Sequence, residues 1–175
     1  MKKLLFSMLL LLMTAIGAVA QVTVTIGEGT STQYYPLPGY YGWNYDVFLY
    51  TPTAAAALDA DCDISSIAFN VSSNSLATGS EISIWVKDVD ADFALATSQT
   101  FAELITDATQ VYTNTAFTST SGWNTYELSE TFTHQAGNAL LVAVRGIGCG
   151  TSGGCSCQGY YTEAANMHWY KSQDS

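Results

Sequence analysis

Positively charged residues are scarce in this chain. Its 175 residues include 5 lysines and arginines against 15 aspartates and glutamates, which gives a formal net charge of −10. Nucleic-acid phosphates and anionic membrane surfaces are both bound through clustered cations. We therefore expect no nucleic-acid partner and no attraction to an anionic membrane.

Recognisable catalytic motifs are missing as well. The histidines are His134 and His168, and the sequence has neither a serine nucleophile elbow nor an HExxH pattern. Acidic pairs such as Glu127 and Glu130 occur in any acidic protein and do not by themselves indicate a hydrolase. We predict that the chain is not an enzyme, and we assign no catalytic residue.

Charged residues of both signs make up only 11 % of the chain, whereas 48 % of the residues are hydrophobic. This balance is typical of a folded domain rather than of a disordered acidic tail. The length suits a single domain with a core of its own.

The first 20 residues have the three parts of a secretory signal peptide. Lys2 and Lys3 provide the positive start, residues 4–16 form an apolar run, and Ala18-Val19-Ala20 is a small-x-small cleavage pattern. The run is short for a membrane anchor, which is the alternative. We expect residues 21–175 to be secreted, extracellular and not inserted in a membrane. Cleavage would leave a net charge near −12 and three cationic residues, Lys87, Arg145 and Lys171.

The mature region is dominated by short segments that alternate hydrophobic and polar residues, with turn residues about every ten positions. This pattern predicts one all-β domain, an antiparallel, jelly-roll-like β-sandwich of eight or nine strands. Ala139–Arg145 is almost continuously apolar and is predicted to be a central strand. Thr100–Thr106 is compatible with a short helix. The other predicted strands are Val22–Ile26, Tyr45–Tyr50, Ile64–Val71, Glu81–Lys87, Gln110–Tyr112, Trp123–Leu128 and one that begins at Met167.

Four cysteines lie in the mature region: Cys62, Cys149, Cys155 and Cys157. In an exported protein, cysteines favour disulfides. We predict that Cys149 pairs with Cys155 or Cys157 and closes a glycine-rich loop, and that Cys62 pairs with the other. A zinc site is the alternative, but the spacing differs from the usual Cys-x2–4-Cys pairs.

Asp88, Asp90 and Asp92 occupy alternate positions just after a predicted strand. Clustered carboxylates can provide the oxygen ligands that Ca²⁺ requires, so a structural calcium ion is one interpretation. The other is that the three carboxylates are solvated in a surface loop, because the glycine and the closing glutamate of an EF-hand are missing. We expect no other cofactor.

Residues 34–50 form the stretch YYPLPGYYGWNYDVFLY, rich in aromatic residues. The prolines and glycines of its first part predict a loop, and the strand Tyr45–Tyr50 follows it. Such a loop can close one end of the core as a lid, or it can stack against a ligand, as tyrosine and tryptophan do. If it binds a ligand, the candidate residues are Tyr34, Tyr35, Tyr40, Tyr41 and Trp43, helped by Trp169 and Tyr170.

Several short motifs follow one another in a characteristic order: Ile26–Ser31, the loop with Asp46–Tyr50, Ile64–Phe69, Ile82–Val86, Gly122-Trp123 and Gly137–Val144. Their order resembles a jelly-roll-like module of secreted surface proteins from Bacteroidetes-type bacteria, similar to the cleaved adhesin modules of gingipain-like proteins. It implies a non-catalytic adhesive module that binds a glycan or a surface protein, carried by a protein exported through type IX secretion.

The chain ends shortly after its last predicted strand begins, so we expect a fragment of a longer multidomain protein. Regions beyond residue 175 would then attach it to the outer bacterial surface. In the alternative interpretation, the module is an accessory domain of a surface protease or other hydrolase whose catalytic domain lies beyond residue 175.

Overall fold

Alternating hydrophobic and polar residues form strands along most of the chain. The computed structural model describes residues 21–27, 29, 31–38, 41–58, 60–75, 80–148, 156–161 and 167–173, with 73–75 and 156–161 described by their backbone alone. The predicted signal peptide, residues 1–20, lies outside the described residues. The strands of the described part are β1 Ser31–Gln33, β2 Trp43–Tyr50, β3 Cys62–Ser75, β4 Ser80–Val89, β5 Thr109–Phe117, β6 Gly122–His134, β7 Ala139–Ile147, β8 Ser156–Tyr161 and β9 His168–Gln173.

These strands form two antiparallel sheets. Sheet A has the strand order β1-β8-β3-β6, and sheet B has the order β5-β4-β7-β2-β9. The strands β4 and β5 are consecutive and paired within sheet B, whereas every other described connection passes from one sheet to the other. The predicted all-β sandwich is confirmed, and the alternation between sheets is that of a jelly-roll-like fold.

The central strand of sheet B is β7. It pairs with β2 on one side and with β4 on the other, and its side chains from Ala139 to Val144 are all buried. A strand covered on both faces needs apolar residues at consecutive positions, which is what this sequence provides. The prediction that Ala139–Arg145 forms a central strand is confirmed.

The inner core fills the space between the two sheets. It is built from strand residues of alternate positions, which point to the same face of a sheet. Its buried members are Leu37, Val71, Ile82, Ile84, Val86, Val111, Phe117, Tyr126, Leu140, Val142 and Val144.

The opposite face of sheet B, which we call the outer face, is covered in part by residues 93–105. This segment contains a short helix, α1, at Phe101–Leu104, and Leu104 is almost fully buried. The short helix predicted within Thr100–Thr106 is confirmed. A second apolar cluster results on the outer face, made of Val47, Leu49, Leu95, Leu104, Ala139, Leu141 and Ala143, with Trp85, Val89, Phe93, Phe101, Ile105 and Trp169 packed against it.

The strand predicted at Val22–Ile26 is wrong. Residues 21–27 are described and form no strand, and Val22 is 78 % exposed. Alternation yields a strand only where a neighbouring strand supplies backbone partners, and no described strand pairs with this segment. The first strand is β1 instead, which pairs with β8.

The disulfide predicted for Cys62 is also wrong, because Cys62 is a free thiol. Cys62 lies opposite His134 at one end of β3, whereas Cys157 lies opposite Asn74 near the other end. At about 3.3 Å per residue the two ends are roughly 40 Å apart, and a disulfide bridges Cα atoms at most about 7 Å apart. The predicted pairing of Cys149 with Cys155 or Cys157 lies outside the described side chains.

Among the described residues, no helix is long and apolar enough to cross a membrane.

Candidate functional site

An aromatic groove lies on the outer face of sheet B, beside the edge strand β9. We use this name for the cavity between the rings of Trp43, Tyr45, Phe101 and Trp169, whose volume is about 580 Å³. All four side chains are half-buried, so part of each remains accessible. The other lining residues are Leu95, Ala96, Thr97, Gln99, Thr100, Ala102, His168, Tyr170 and Lys171.

Strand geometry brings the groove residues together. Trp43 and Tyr45 are two positions apart in β2, so both point to the outer face. The register between β2 and β9 places Trp169 opposite Val47 and Lys171 opposite Tyr45. Residues directly opposite in an antiparallel pair share a face, so β9 adds an indole and an ammonium group to the same surface.

The rings of the groove are stacked on one another. The ring centroid of Tyr45 lies 4.8 Å from that of Trp43 and 4.6 Å from that of Phe101, with interplanar angles of 29° and 16°. Phe101 and Trp169 follow at 6.5 Å and 28°. Tyr45 and Phe101 therefore each lie between two other rings, and the indoles of Trp43 and Trp169 stand at the two ends of the ladder, where an indole face is suited to ring-shaped ligands.

Hydrogen bonds fix the wall that carries Phe101. The backbone N–H of Ala96 donates to Oε1 of Gln99 at 2.7 Å, which closes a tight turn. Thr100 and Glu103 form a capping box at the start of α1, in which the Thr100 N–H donates to the Glu103 carboxylate at 2.7 Å. The pKa of the Glu103 carboxyl is lowered by these hydrogen bonds. The larger effect comes from the backbone N–H of Thr100 and the smaller one from its hydroxyl. A wall held in this way loses little conformational freedom when a ligand binds.

Three of the seven predicted ligand-binding residues, Trp43, Trp169 and Tyr170, line the groove. Tyr35 lies on the other side of β9, where its ring packs against Tyr170 at 5.4 Å and against His168 at 4.6 Å. Tyr34 and Tyr41 are half-buried and do not line the groove, and Tyr40 lies outside the described residues.

Part of the predicted loop acts as a lid for the core. Pro36, Leu37 and Pro38 are buried, and Leu37 belongs to the inner core. Each of the two interpretations therefore applies to a different part of residues 34–50. The lid residues come before β2, and the groove begins at Trp43, the first residue of β2.

Sequence reasoning missed Tyr45, Phe101 and Lys171. Two of them could have been found from the sequence. Tyr45 follows Trp43 by two positions, and Lys171 follows Trp169 by two positions, and residues two positions apart in a strand lie on the same face of the sheet. Phe101 carried no such signal, since its place in the groove depends on how the segment 93–105 folds back over sheet B.

A buried polar network lies behind the groove, on the inner face of β2. Asp46 is fully buried, and its carboxylate lies 2.9 Å from Nε2 of His168 and accepts a hydrogen bond of 2.6 Å from Nδ2 of Asn44. Burial raises the pKa of Asp46, and the contacts with His168 and Asn44 partly oppose that rise. The His168 ring is stacked on Phe48 at 4.6 Å. This network joins β2 to the edge strand β9.

The three aspartates of the predicted calcium site do not come together. Asp88 is engaged elsewhere, since its carboxylate lies 2.5 Å from Nδ1 of His134 and accepts a 2.7 Å hydrogen bond from the N–H of Gln135. Asp90 and Asp92 are exposed. Among the described residues, no group of three or more His, Cys, Asp or Glu side chains is arranged to hold a metal ion.

Comparisons with known proteins provide no relative for the groove, because no protein-family model, curated protein or solved structure matches the chain.

Proposed function

We propose that this chain is a carbohydrate-binding module that takes an oligosaccharide in the aromatic groove. The observation that carries the proposal is the ladder of stacked rings from Trp43 through Tyr45 and Phe101 to Trp169. Sugar rings have apolar C–H faces that stack on indole and phenol rings, while their hydroxyls need polar partners at the rim. Gln99, Thr97 and Thr100 supply polar groups beside the rings.

The dimensions and rigidity of the groove support the same proposal. Its volume of about 580 Å³ lies within the range of small-ligand sites, roughly 300–1,000 Å³. Three of its four rings belong to paired strands and one to a capped helix, so the surface is formed before the ligand arrives. Preorganisation of this kind is what gives stacking interactions their net affinity.

The wider role that fits this site is the one implied by the sequence resemblance. The module would be a non-catalytic part of a secreted bacterial surface protein, similar to cleaved adhesin modules, and would bind glycans or glycan-bearing surface proteins. Recognition through stacking requires no catalytic group.

The test is a glycan-array screen of residues 21–175, followed by calorimetry of the best ligand with Trp43→Ala and Trp169→Ala. Each variant should bind at least about tenfold more weakly, because an aromatic side chain at the centre of a binding site often contributes most of its binding energy. Circular dichroism establishes that the variants are folded.

The matched control is Trp123→Ala. Trp123 is 58 % exposed, lies on β6 of sheet A and is not part of the groove. This variant should bind like the wild type. Folded Trp43→Ala and Trp169→Ala variants with unchanged affinity would contradict the proposal.

A further inference from the structure

The three cationic side chains of the described residues all belong to the outer face of sheet B. Lys87 of β4 lies opposite Leu141, Arg145 of β7 lies opposite Tyr45, and Lys171 of β9 lies opposite Tyr45 from the other side. In a chain with fifteen acidic residues, the described cations are therefore concentrated on the face that carries the groove.

Two of these cations flank one ring of the aromatic groove. The registers of β7, β2 and β9 place Arg145, Tyr45 and Lys171 side by side in one row across the sheet. Directly opposite residues have Cβ atoms about 5 Å apart, so both cationic side chains start beside Tyr45 and are within reach of a ligand that binds in the groove. Lys171 itself lines the groove.

Neither of the two cations is neutralised within the described structure. The close contacts there between a basic and an acidic side chain join His134 to Asp88 and His168 to Asp46, and none involves Arg145 or Lys171. The Nε of Arg145 is buried and has no hydrogen-bond partner. Lys87 differs, because its ammonium donates a 2.9 Å hydrogen bond to the carbonyl of Thr106 and lies near Asp107.

The lining of the groove contrasts with the acidic composition of the chain. None of the described residues that line it is acidic. Two carboxylates belong to its surroundings: Glu103 is held by the N–H and the hydroxyl of Thr100, and Glu81 lies opposite Ile147, one row away from Arg145. An acidic chain with an acid-free groove beside two unpaired cations is complementary to a negatively charged ligand.

We propose that the groove selects anionic oligosaccharides, whose carboxylate or sulfate group binds to Arg145 and Lys171 while a sugar ring stacks on an indole at one end of the ring ladder, Trp43 or Trp169. This inference rests on the proposed carbohydrate-binding function and adds the charge of the ligand. The guanidinium and ammonium groups supply charge-assisted hydrogen bonds, which are stronger than those between neutral groups.

The experiment compares matched glycans that differ only in the acidic group. The array contains galacturonate oligomers and their methyl esters, sialylated glycans and their sialic acid methyl esters, and sulfated glycosaminoglycan fragments and their desulfated forms. The acidic member of a pair should bind at least about tenfold more tightly, as expected for one charge-assisted hydrogen bond. Neutral members that bind as tightly as their acidic partners would overturn the inference on charge.

Side-chain variants separate this inference from the proposed function. Lys171→Gln and Arg145→Gln should remove most of the preference for the acidic glycan, whereas Lys171→Arg should retain it and Lys87→Gln should leave it unchanged. Lys171 is exposed, so its replacement should not disturb folding. A preference that persists in Lys171→Gln and in folded Arg145→Gln would also overturn the inference. If no glycan binds, or if binding does not depend on Trp43 and Trp169, the proposed function itself fails.

Discussion

The indole of Trp43 and the phenol ring of Tyr45 stack with their centroids 4.8 Å apart, although the two residues belong to the same strand. Side chains two positions apart on a strand start about 6.6 Å from one another, so the rings lean together to make contact. Phe101 then continues the stack from outside the sheet. The groove is thus formed by the outer face of sheet B together with the segment 93–105 that covers part of it.

The capping box of α1 should contribute to stability as well as to binding. Thr100→Ala removes the hydroxyl that accepts a hydrogen bond from the Glu103 N–H and so leaves a helix end without its cap. We expect the free energy of unfolding to fall by about 1 kcal/mol, the usual cost of losing an N-cap. Urea unfolding measures it. The exposed Thr118→Ala is the control and should lose little; an equal loss in the two variants would mean that the cap contributes nothing.

Asp46 should be among the most sensitive positions outside the hydrophobic core. Asp46→Ala removes the carboxylate that contacts the ring nitrogen of His168 and accepts a hydrogen bond from the amide of Asn44. Removing one member of a buried hydrogen-bonded pair typically costs about 1–3 kcal/mol. Chemical unfolding should show a loss of this size, and hydrogen exchange should show weaker protection in β9, which the network joins to β2.

The control for Asp46 is Asp90→Ala, since Asp90 is exposed. It should change the free energy of unfolding by less than about 0.5 kcal/mol. A loss in Asp46→Ala no larger than that of the control would show that the buried network contributes nothing to the attachment of β9.

The fold was predictable where one pattern determined the structure. The apolar run Ala139–Arg145 could be placed at the centre of a sheet because only a strand covered on both faces has that composition. The strand β8, Ser156–Tyr161, was not predicted, since its sequence SCQGYY is polar and lacks alternation. Val22–Ile26 alternates well but pairs with none of the described strands, which shows that pairing as well as pattern decides the outcome.

The candidate site was predictable only in part, for a related reason. Trp43 and Trp169 could be named because tryptophan near a strand end is suited to binding. The two tryptophans reach the same groove only because β2 pairs with β9, and these strands lie more than a hundred residues apart in the sequence. The same holds for Arg145 and Lys171, whose common position beside Tyr45 follows from registers that no local pattern encodes.

Cys62 should react slowly with thiol reagents. Burial raises the pKa of its thiol, and the negative charges of Asp63, Asp88 and Asp61 raise it further, so little thiolate is present at neutral pH. Alkylation with iodoacetamide, followed by peptide mass spectrometry of the non-reduced protein, should find Cys62 modified slowly and not in a disulfide.

Asp63→Asn removes one of the charges near Cys62 and should accelerate its alkylation, whereas Asp90→Asn should not. Cys62 recovered in a disulfide, or equal alkylation rates in the two variants, would contradict this assignment.

Alkaline unfolding should depend on Tyr50. This residue of β2 packs against the inner core, and burial raises its pKa to about 12 from the ordinary value of 10.0. The folded protein therefore holds the phenol proton more tightly than the unfolded chain does. The resulting stabilisation is complete below pH 10 and is lost as the pH rises through the folded-state pKa. By pH 12 the loss should amount to roughly 2–3 kcal/mol, since one pKa unit corresponds to about 1.4 kcal/mol.

Tyr50→Phe has no proton to lose, so its free energy of unfolding should fall less steeply between pH 10 and pH 12 than that of the wild type. Tyr170→Phe is the matched control, because the Tyr170 side chain is 58 % exposed, and it should follow the wild-type curve. Urea unfolding at several pH values measures all three proteins. Parallel curves for the wild type and Tyr50→Phe would contradict the prediction, because they would show that the Tyr50 hydroxyl reaches water in the folded protein.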